Sequence, residues 1–413
     1  MTKREFHSSA HFILAILIAF TLPFAKLTAG FIALMLLNWL LEMDFRNKFK
    51  AIGSNKLTMC FIAFFIMHLL GLIYTENINS GLFDIQVKLS LLFFPIILTS
   101  RPFDNKKVNY IFLALLIGSI ISSLLLFIIA TYTYLTLSLN HFFYQEFSIL
   151  IHPSYLSMYI NLCIAWLLLK LLNIDTKSFS IKNKISLVII AFLSFTNILL
   201  SSKMGLVSML LIYIFYLWYY IILKRKYFLS FLAFLILLGI VFSAIKLFPE
   251  MARRLSRSVE AFSHPTLNQS ENESTAVRFL IWSAANKVIS ENVLFGAGTG
   301  DAKDALIKEY EKRGMKGALE HKLNAHNEFY QVFISIGIIG FIIFVITLLA
   351  PLLLAFKINN FIYIIFLFII VFNFLPESML ETQAGVMFYS FFNSLLCFSC
   401  YNPKLSFQSQ KPL

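Results

Sequence analysis

Long apolar runs separated by short polar connectors recur along nearly the whole chain, and one hydrophilic stretch of about eighty residues breaks the pattern. A membrane-spanning helix needs about 20 predominantly apolar residues. By that measure the runs predict about twelve spans: 9–25, 27–43, 57–74, 81–100, 109–134, 153–172, 184–201, 204–223, 227–247, 327–355, 358–374 and 380–400. The first two are short and tightly joined between Pro23 and Lys26, so they are open to tilting or to a different count. The runs are too long for barrel strands and lack in/out alternation, which excludes a transmembrane barrel. The expected fold is an all-α polytopic membrane protein. Its expected divisions are spans one to nine over 1–247, an outer helical loop over 248–326, spans ten to twelve over 327–400, and a tail over 401–413.

Within the hydrophilic stretch, Ser274 to Asn292 predicts a helix with Arg278, Trp282, Ala285 and Ile289 on one face at three-and-four spacing. Gly296-Ala-Gly298-Thr-Gly300-Asp301 follows. No strand precedes it and no Lys-Ser/Thr follows, so it does not predict a nucleotide loop. It predicts a tight turn into a second, charged helix over Asp301 to Arg313, with Asp301 near the cap. His326-Asn327 then opens the tenth span. His326 and Gly337 are eleven residues apart, about three helical turns, which predicts that they share one side of that helix. Gly337 and Gly340 predict a close helix–helix approach.

Composition sharpens the picture. Of 413 residues, 59% are hydrophobic and only 13% charged, against about 25% charged in a typical soluble domain. The basic excess, 34 Lys and Arg against 21 Asp and Glu, lies mostly in alternate connectors rather than in a nucleic-acid-binding patch. Those connectors hold Lys3 and Arg4; Arg46, Lys48, Lys50 and Lys56; Arg101, Lys106 and Lys107; Lys170, Lys177, Lys182 and Lys184; and Lys224, Arg225 and Lys226. Residues 75–80 and 135–152 hold none. By the positive-inside bias both termini are expected in the cytoplasm and 248–326 outside, in the periplasm if the envelope is Gram-negative. The Met1-Thr-Lys-Arg start resembles a signal sequence without a cleavage site and is expected to be an uncleaved first span. Cys397-Phe-Ser-Cys400 is a lone CxxC inside an apolar run, with no second pair to suggest a metal.

Intramembrane charges are few and sit near the outer ends of the spans. Lys88 lies about two turns into the fourth span, Lys203 in the hairpin between spans seven and eight, and Glu377 and Glu381 beside the last span. Arg253, Arg254 and Arg257 form a basic turn beyond span nine. Ionisable groups at the hydrocarbon edge are costly and usually functional. Lys88 has a second reading, a structural i,i+4 pair with Asp84, and Lys203 a second reading as a snorkelling surface cation. Cations gathered with one histidine on one membrane face suggest an anionic ligand arriving from the bilayer. Transport needs polar sites near the midplane, where this chain is Phe, Leu and Ile, so a transporter or flippase is the weaker class.

At this point the residues resemble a known family. His326-Asn327, nine residues, then Gly337-Ile-Ile-Gly340 resembles the histidine signature of the O-antigen ligase family. Arg278…Trp282 followed by Gly296-Ala-Gly298-Thr-Gly300 resembles its R…W…GxGxG block. Ser202-Lys203-Met-Gly205 resembles its Ser-Arg segment, with Lys where Arg is usual. The resemblance implies a GT-C-like membrane glycosyltransferase in the bacterial inner membrane. Its implied donor is a glycan on undecaprenyl pyrophosphate, its acceptor lipid A–core or another glycolipid, and it needs no metal or other cofactor. It implies His326 as general base and Arg278 as stabiliser of the leaving pyrophosphate. Lys203, Lys88, Asn327, Arg254 and Glu377 are implied as substrate-binding, with Glu377 or Glu381 orienting His326 or Arg278. The related O-antigen polymerases share the donor and differ in the acceptor.

Overall fold

The computed structural model describes residues 2–172, 183–224, 239 and 275–400. The expected span 227–247, the turn with Arg253, Arg254 and Arg257, and the 401–413 tail lie outside them. Among the described residues the chain is helical and contains no strand, as a multi-pass membrane protein whose backbone must satisfy itself in lipid.

The membrane part comprises α1 (Lys3–Thr21), α2 (Thr28–Leu41), α3 (Phe45–Ser54), α4 (Lys56–Gly71), α5 (Ile78–Lys88), α6 (Ser90–Ser100), α7 (Asn105–Leu137), α8 (Tyr144–Phe147), α9 (Pro153–Leu171), α10 (Asn183–Leu200) and α11 (Lys203–Lys224). The polar stretch supplies α12 (Thr275–Glu291), α13 (Ala302–Arg313) and α14 (Lys316–Glu320). The chain then returns through α15 (Glu328–Lys357), α16 (Phe361–Phe374) and α17 (Gln383–Cys400).

Seven helices among the described residues are long and apolar enough to cross a bilayer, or eight if one bent pair is a single span. The expected ninth span lies outside the described residues, so this count is not one of the whole chain. The run at 27–43 is not a straight crossing, because α2 meets α3 at 114°. The runs at 57–74 and 358–374 form α4 and α16, of 16 and 14 residues, short of a full crossing.

Two apolar clusters organise the molecule. The larger runs through the bundle and centres on α9, whose residues 153–169 are all buried. The smaller joins α12, α13 and the 315–325 segment and takes in Ile334 of α15. Polar side chains also bind α9 to its neighbours. Asn197 donates to Asn161 over 2.8 Å, and Asn161 donates to the Gly205 carbonyl over 2.8 Å. A Cβ on Gly205 would overlap the Ser157 hydroxyl, so this glycine is what lets α11 press onto α9.

α15 is broken. Gly337 has φ +65° and ψ −168°, which a helix cannot hold, so the ladder is interrupted one-third of the way along. The freed backbone groups find partners in the glycine-rich segment. Ala297 N–H donates to the Ile334 carbonyl (2.7 Å), Gly298 N–H to the Ser335 carbonyl (3.2 Å), and Ile338 N–H to the Val293 carbonyl (2.8 Å). The helical spacing that predicted a common side for His326 and Gly337 therefore does not apply. His326 precedes the helix, and the break resets the register that the spacing assumed. The close approach at Gly337 is made by the 294–296 backbone rather than by a helix, and the three atoms nearest a Cβ at Gly340 all belong to Ile336 of the same helix.

Asp301 occupies the N-cap position of α13 but makes no cap bond there. Its carboxylate instead accepts the Glu76 and Asn77 backbone N–H groups over 2.7 and 2.8 Å, at the start of α5. Thr299 donates its hydroxyl to the His68 carbonyl (2.7 Å) and its N–H to the Gly71 carbonyl (3.3 Å). The segment expected to be a simple turn thus fastens the outer helices to the ends of α4, α5 and α15.

Candidate functional site

The chain leaves α16 at Phe374 and crosses to α17 through a short strap containing one 3-10 turn, Met379–Glu381. Glu377 lies on that strap. One carboxylate oxygen accepts from Arg278 Nη2 on α12 over 2.6 Å. The other lies 3.1 Å from His326 Nδ1. An ionised carboxylate can only accept, so Nδ1 carries the proton and Nε2 is left as a bare acceptor. All three side chains are partly exposed, at 19–26%. Burial alone would push the Glu377 carboxyl up, but the His326 hydrogen bond and the Arg278 charge together hold it below the usual carboxylate range.

His326 has φ +44°, an uncommon conformation for a residue with a side chain. Its neighbours fix it there. His326 N–H donates to Asn324 Oδ1 (3.0 Å), and Asn327 N–H donates to Ser378 Oγ on the strap (3.2 Å). Asn327 Oδ1 caps α15 by accepting from Phe329 and Tyr330 N–H, over 2.9 and 3.1 Å. The Asn327 side chain is therefore first of all a helix cap. On α12, Trp282 Nε1 donates to the Ala325 carbonyl (3.1 Å) and its ring stacks on Tyr330, tying the Arg278 helix to the segment just before His326.

The strap is pinned along its length. Besides Ser378, the Leu380 N–H donates to Glu328 Oε2 (2.7 Å), Glu381 accepts from Lys88 Nζ (2.9 Å), and Thr382 donates to the Tyr155 hydroxyl (2.6 Å). Lys88 also bonds Asp84, the i,i+4 pairing that was one of its two readings. Only 1% of Lys88 is exposed. It sits beneath the strap between two carboxylates, while Arg278, Glu377 and His326 form the upper group. Glu328 is fully buried, and its Oε1 has no partner among the described residues.

Lys203 begins α11 directly after the Ser201-Ser202 turn. Ser202 Oγ lies 3.5 Å from Ser154 Oγ at the head of α9, two residues beyond His152, whose charge acts on Glu377. The Lys203 hairpin thus borders the same end of the bundle. Arg254 lies outside the described residues. Sequence reasoning missed His152, Tyr155 and Glu328. His152-Pro153 and Glu328 stand at helix starts, a position that gave no sign of proximity to a site assembled from segments a hundred or more residues apart.

Residues 188–345, which include Arg278, the glycine segment, His326 and the break at Gly337, match the family model described as O-antigen ligase. Over this segment the chain is similar to the O-antigen ligase family. It is also similar to an uncharacterized protein of Haemophilus influenzae, 26% identical over 137 residues, 31% of this chain. The chain covers 34% of that relative's length. Glu377, outside the matched segment, joins two residues within it, Arg278 and His326, through one carboxylate.

Proposed function

We propose that this protein transfers a glycan from undecaprenyl pyrophosphate to a sugar hydroxyl of lipid A–core, on the outer face of the bacterial inner membrane, with both termini cytoplasmic and the helices arranged in a GT-C-like way. The reading is carried by Glu377, which holds a guanidinium on one oxygen and an imidazole on the other. Such a carboxylate fixes the tautomer in which His326 Nε2 can take a proton. The acceptor hydroxyl gives its proton to Nε2 while its oxygen bonds to the anomeric carbon. The bond from that carbon to the pyrophosphate oxygen breaks, and the electron pair leaves on the pyrophosphate. Displacement from the opposite side inverts the anomeric centre.

Arg278 spends one N–H on Glu377 and has the rest of its five donors for the departing oxygens. Lys203, where the family has Arg, supplies a point charge without the bidentate fork. Arg254 adds a further cation from the outer stretch. Asn327 and Lys88 contribute by holding His326 and the strap in place. The scheme uses no metal, so a chelator should leave turnover unchanged.

The test is purified protein in liposomes with lipid-linked donor and lipid A–core. His326→Ala should elute as the wild type on gel filtration and form no product; undiminished product removes His326 as the base. A polymerase would use the same donor machinery with a second lipid-linked repeat as acceptor. Deleting the gene separates the two, because a missing ligase leaves lipid-linked polymer and a missing polymerase leaves single repeats on the core.

A further inference from the structure

A second polar site lies at the other end of the bundle. Lys88, beneath the strap, and Arg101 are joined by the single α5–α6 span, thirteen residues or about 20 Å of helix at about 1.5 Å per residue. At the Arg101 end is a half-open cavity of about 250 Å³ lined by His7, His11, Asn38, Trp39, Arg101 and Lys107, among others. A single water needs only roughly 10–15 Å³, so the space suits a chemical group of several heavy atoms.

The donors and acceptors around it are sorted. Arg101 leans on Glu42, with Nε at 3.0 Å, but Lys48 claims the same carboxylate at 3.0 Å. Two cations thus share one acid, although Asp44 stands 3.6 Å from Arg101 at the exposed edge. Lys107 lies over the Phe12 ring at 5.7 Å, with no carboxylate in ion-pair range among the described residues. Opposite them stand two imidazoles. Asn38 donates its amide N–H to the His7 carbonyl (3.1 Å), which turns its oxygen towards His7 Nδ1 (2.8 Å). His7 Nδ1 is then the donor and Nε2 the bare nitrogen. His11 Nε2 donates to the Arg101 carbonyl (3.1 Å) while its ring stacks on Phe103, which leaves Nδ1 bare.

We propose that this cavity binds a phosphate ester bearing hydroxyl or ammonium donors, its phosphate oxygens on Arg101 and Lys107 and its donors on His7 Nε2 and His11 Nδ1. Such a group is the head of a phospholipid at this membrane face or a small soluble phosphoester, and a bare anion satisfies only half of the lining. The inference is independent of the transferase reading, because it concerns the opposite end of the spans.

The test is native mass spectrometry of delipidated full-length protein. Four ligands are titrated separately: phosphatidylglycerol, phosphatidylcholine, sn-glycerol 3-phosphate and inorganic phosphate. Wild type should retain phosphatidylglycerol or glycerol phosphate over phosphatidylcholine and inorganic phosphate. Preference for the lipid identifies a head-group site, and equal binding of the soluble ester identifies a solution ligand. Lys107→Gln should weaken binding about tenfold, the loss of one charge-assisted contact. His7→Phe should do the same, whereas Lys287→Gln, the same charge change on the exposed face of α12, should not. Equal retention of all four ligands, or equal binding by wild type, Lys107→Gln and His7→Phe with unchanged gel-filtration profiles, overturns the proposal.

Discussion

Replacing Gly337 by alanine tests the joint between the outer helices and the bundle. The glycine holds φ +65° and ψ −168°, a region essentially closed to other residues, so any side chain there costs about 1–3 kcal/mol in backbone strain. An added Cβ would also lie 2.3 Å from the Leu294 carbonyl oxygen and 2.6 Å from the Gly296 nitrogen. Both are backbone atoms, so the clash is relieved only by moving the 293–298 segment. Moving it breaks the three hydrogen bonds that Ala297, Gly298 and Ile338 make across the joint, each worth about 1 kcal/mol net. The sum is about 4–6 kcal/mol, among the largest single-residue effects. α12 ends at Glu291, just before this segment, so the displacement should also draw Arg278 from Glu377. Thermal unfolding in detergent and protease sensitivity of 292–300 would be compared with those of Gly340→Ala, whose Cβ would press first on the Ile336 side chain rather than on the 293–298 backbone. Gly337→Ala should melt well below both wild type and Gly340→Ala. Melting together with wild type, with the 292–300 segment still protected, would refute the argument.

Glu377→Gln presents an amide that can donate to His326 Nδ1 and so reverse the tautomer; turnover should fall roughly a thousandfold or more, with partial recovery in Glu377→Asp. The Glu377 carboxyl is held below its ordinary 4.5, so its stabilisation is complete above pH 4.5 and disappears only as the pH falls further, through the folded value. Acid-unfolding curves of wild type and Glu377→Gln should therefore differ above pH 4.5 and converge below it. Lys88→Met strands Asp84 and Glu381 without their shared cation and should cost about 3–5 kcal/mol, partly regained on adding Glu381→Gln, as read from melting temperatures. Tyr310→Phe removes a buried hydroxyl that has no partner among the described residues, and it should be neutral or stabilising by about 1 kcal/mol in the same assay.

What the sequence revealed is what local rules control. The helix through Arg278, the apolar spans and the prominence of His326-Asn327 all follow from periodicity, capping and the cost of polar groups at a membrane edge. Glu377 was legible as an ionisable group beside a span, and as one of two acids able to orient His326 or Arg278. That it reaches both was not, because the contacts join positions 51 and 99 residues away. Lys88 was legible only in half, since the Asp84 partner is four residues off and Glu381 is 293. The spacing inference about His326 and Gly337 does not apply because it assumed an unbroken ladder. The same glycine that suggested close packing was the residue that ended the register. Asp301 misled in a similar way, its carboxylate serving the head of another helix 224 residues away.

The break in α15 bears on how this protein can be taken apart. Ile334 belongs to the apolar cluster of the outer helices, whereas Val332 and Ile336 of the same turns face the bundle. The first nine residues of α15 are therefore a shared wall, and a chimera spliced at 326/327 would strip the transplanted portion of part of its own interior. Splicing at 337, where the strand of covalent chain already changes direction, would carry that wall along and leave a seam made of main-chain contacts that any recipient with a glycine there can reproduce.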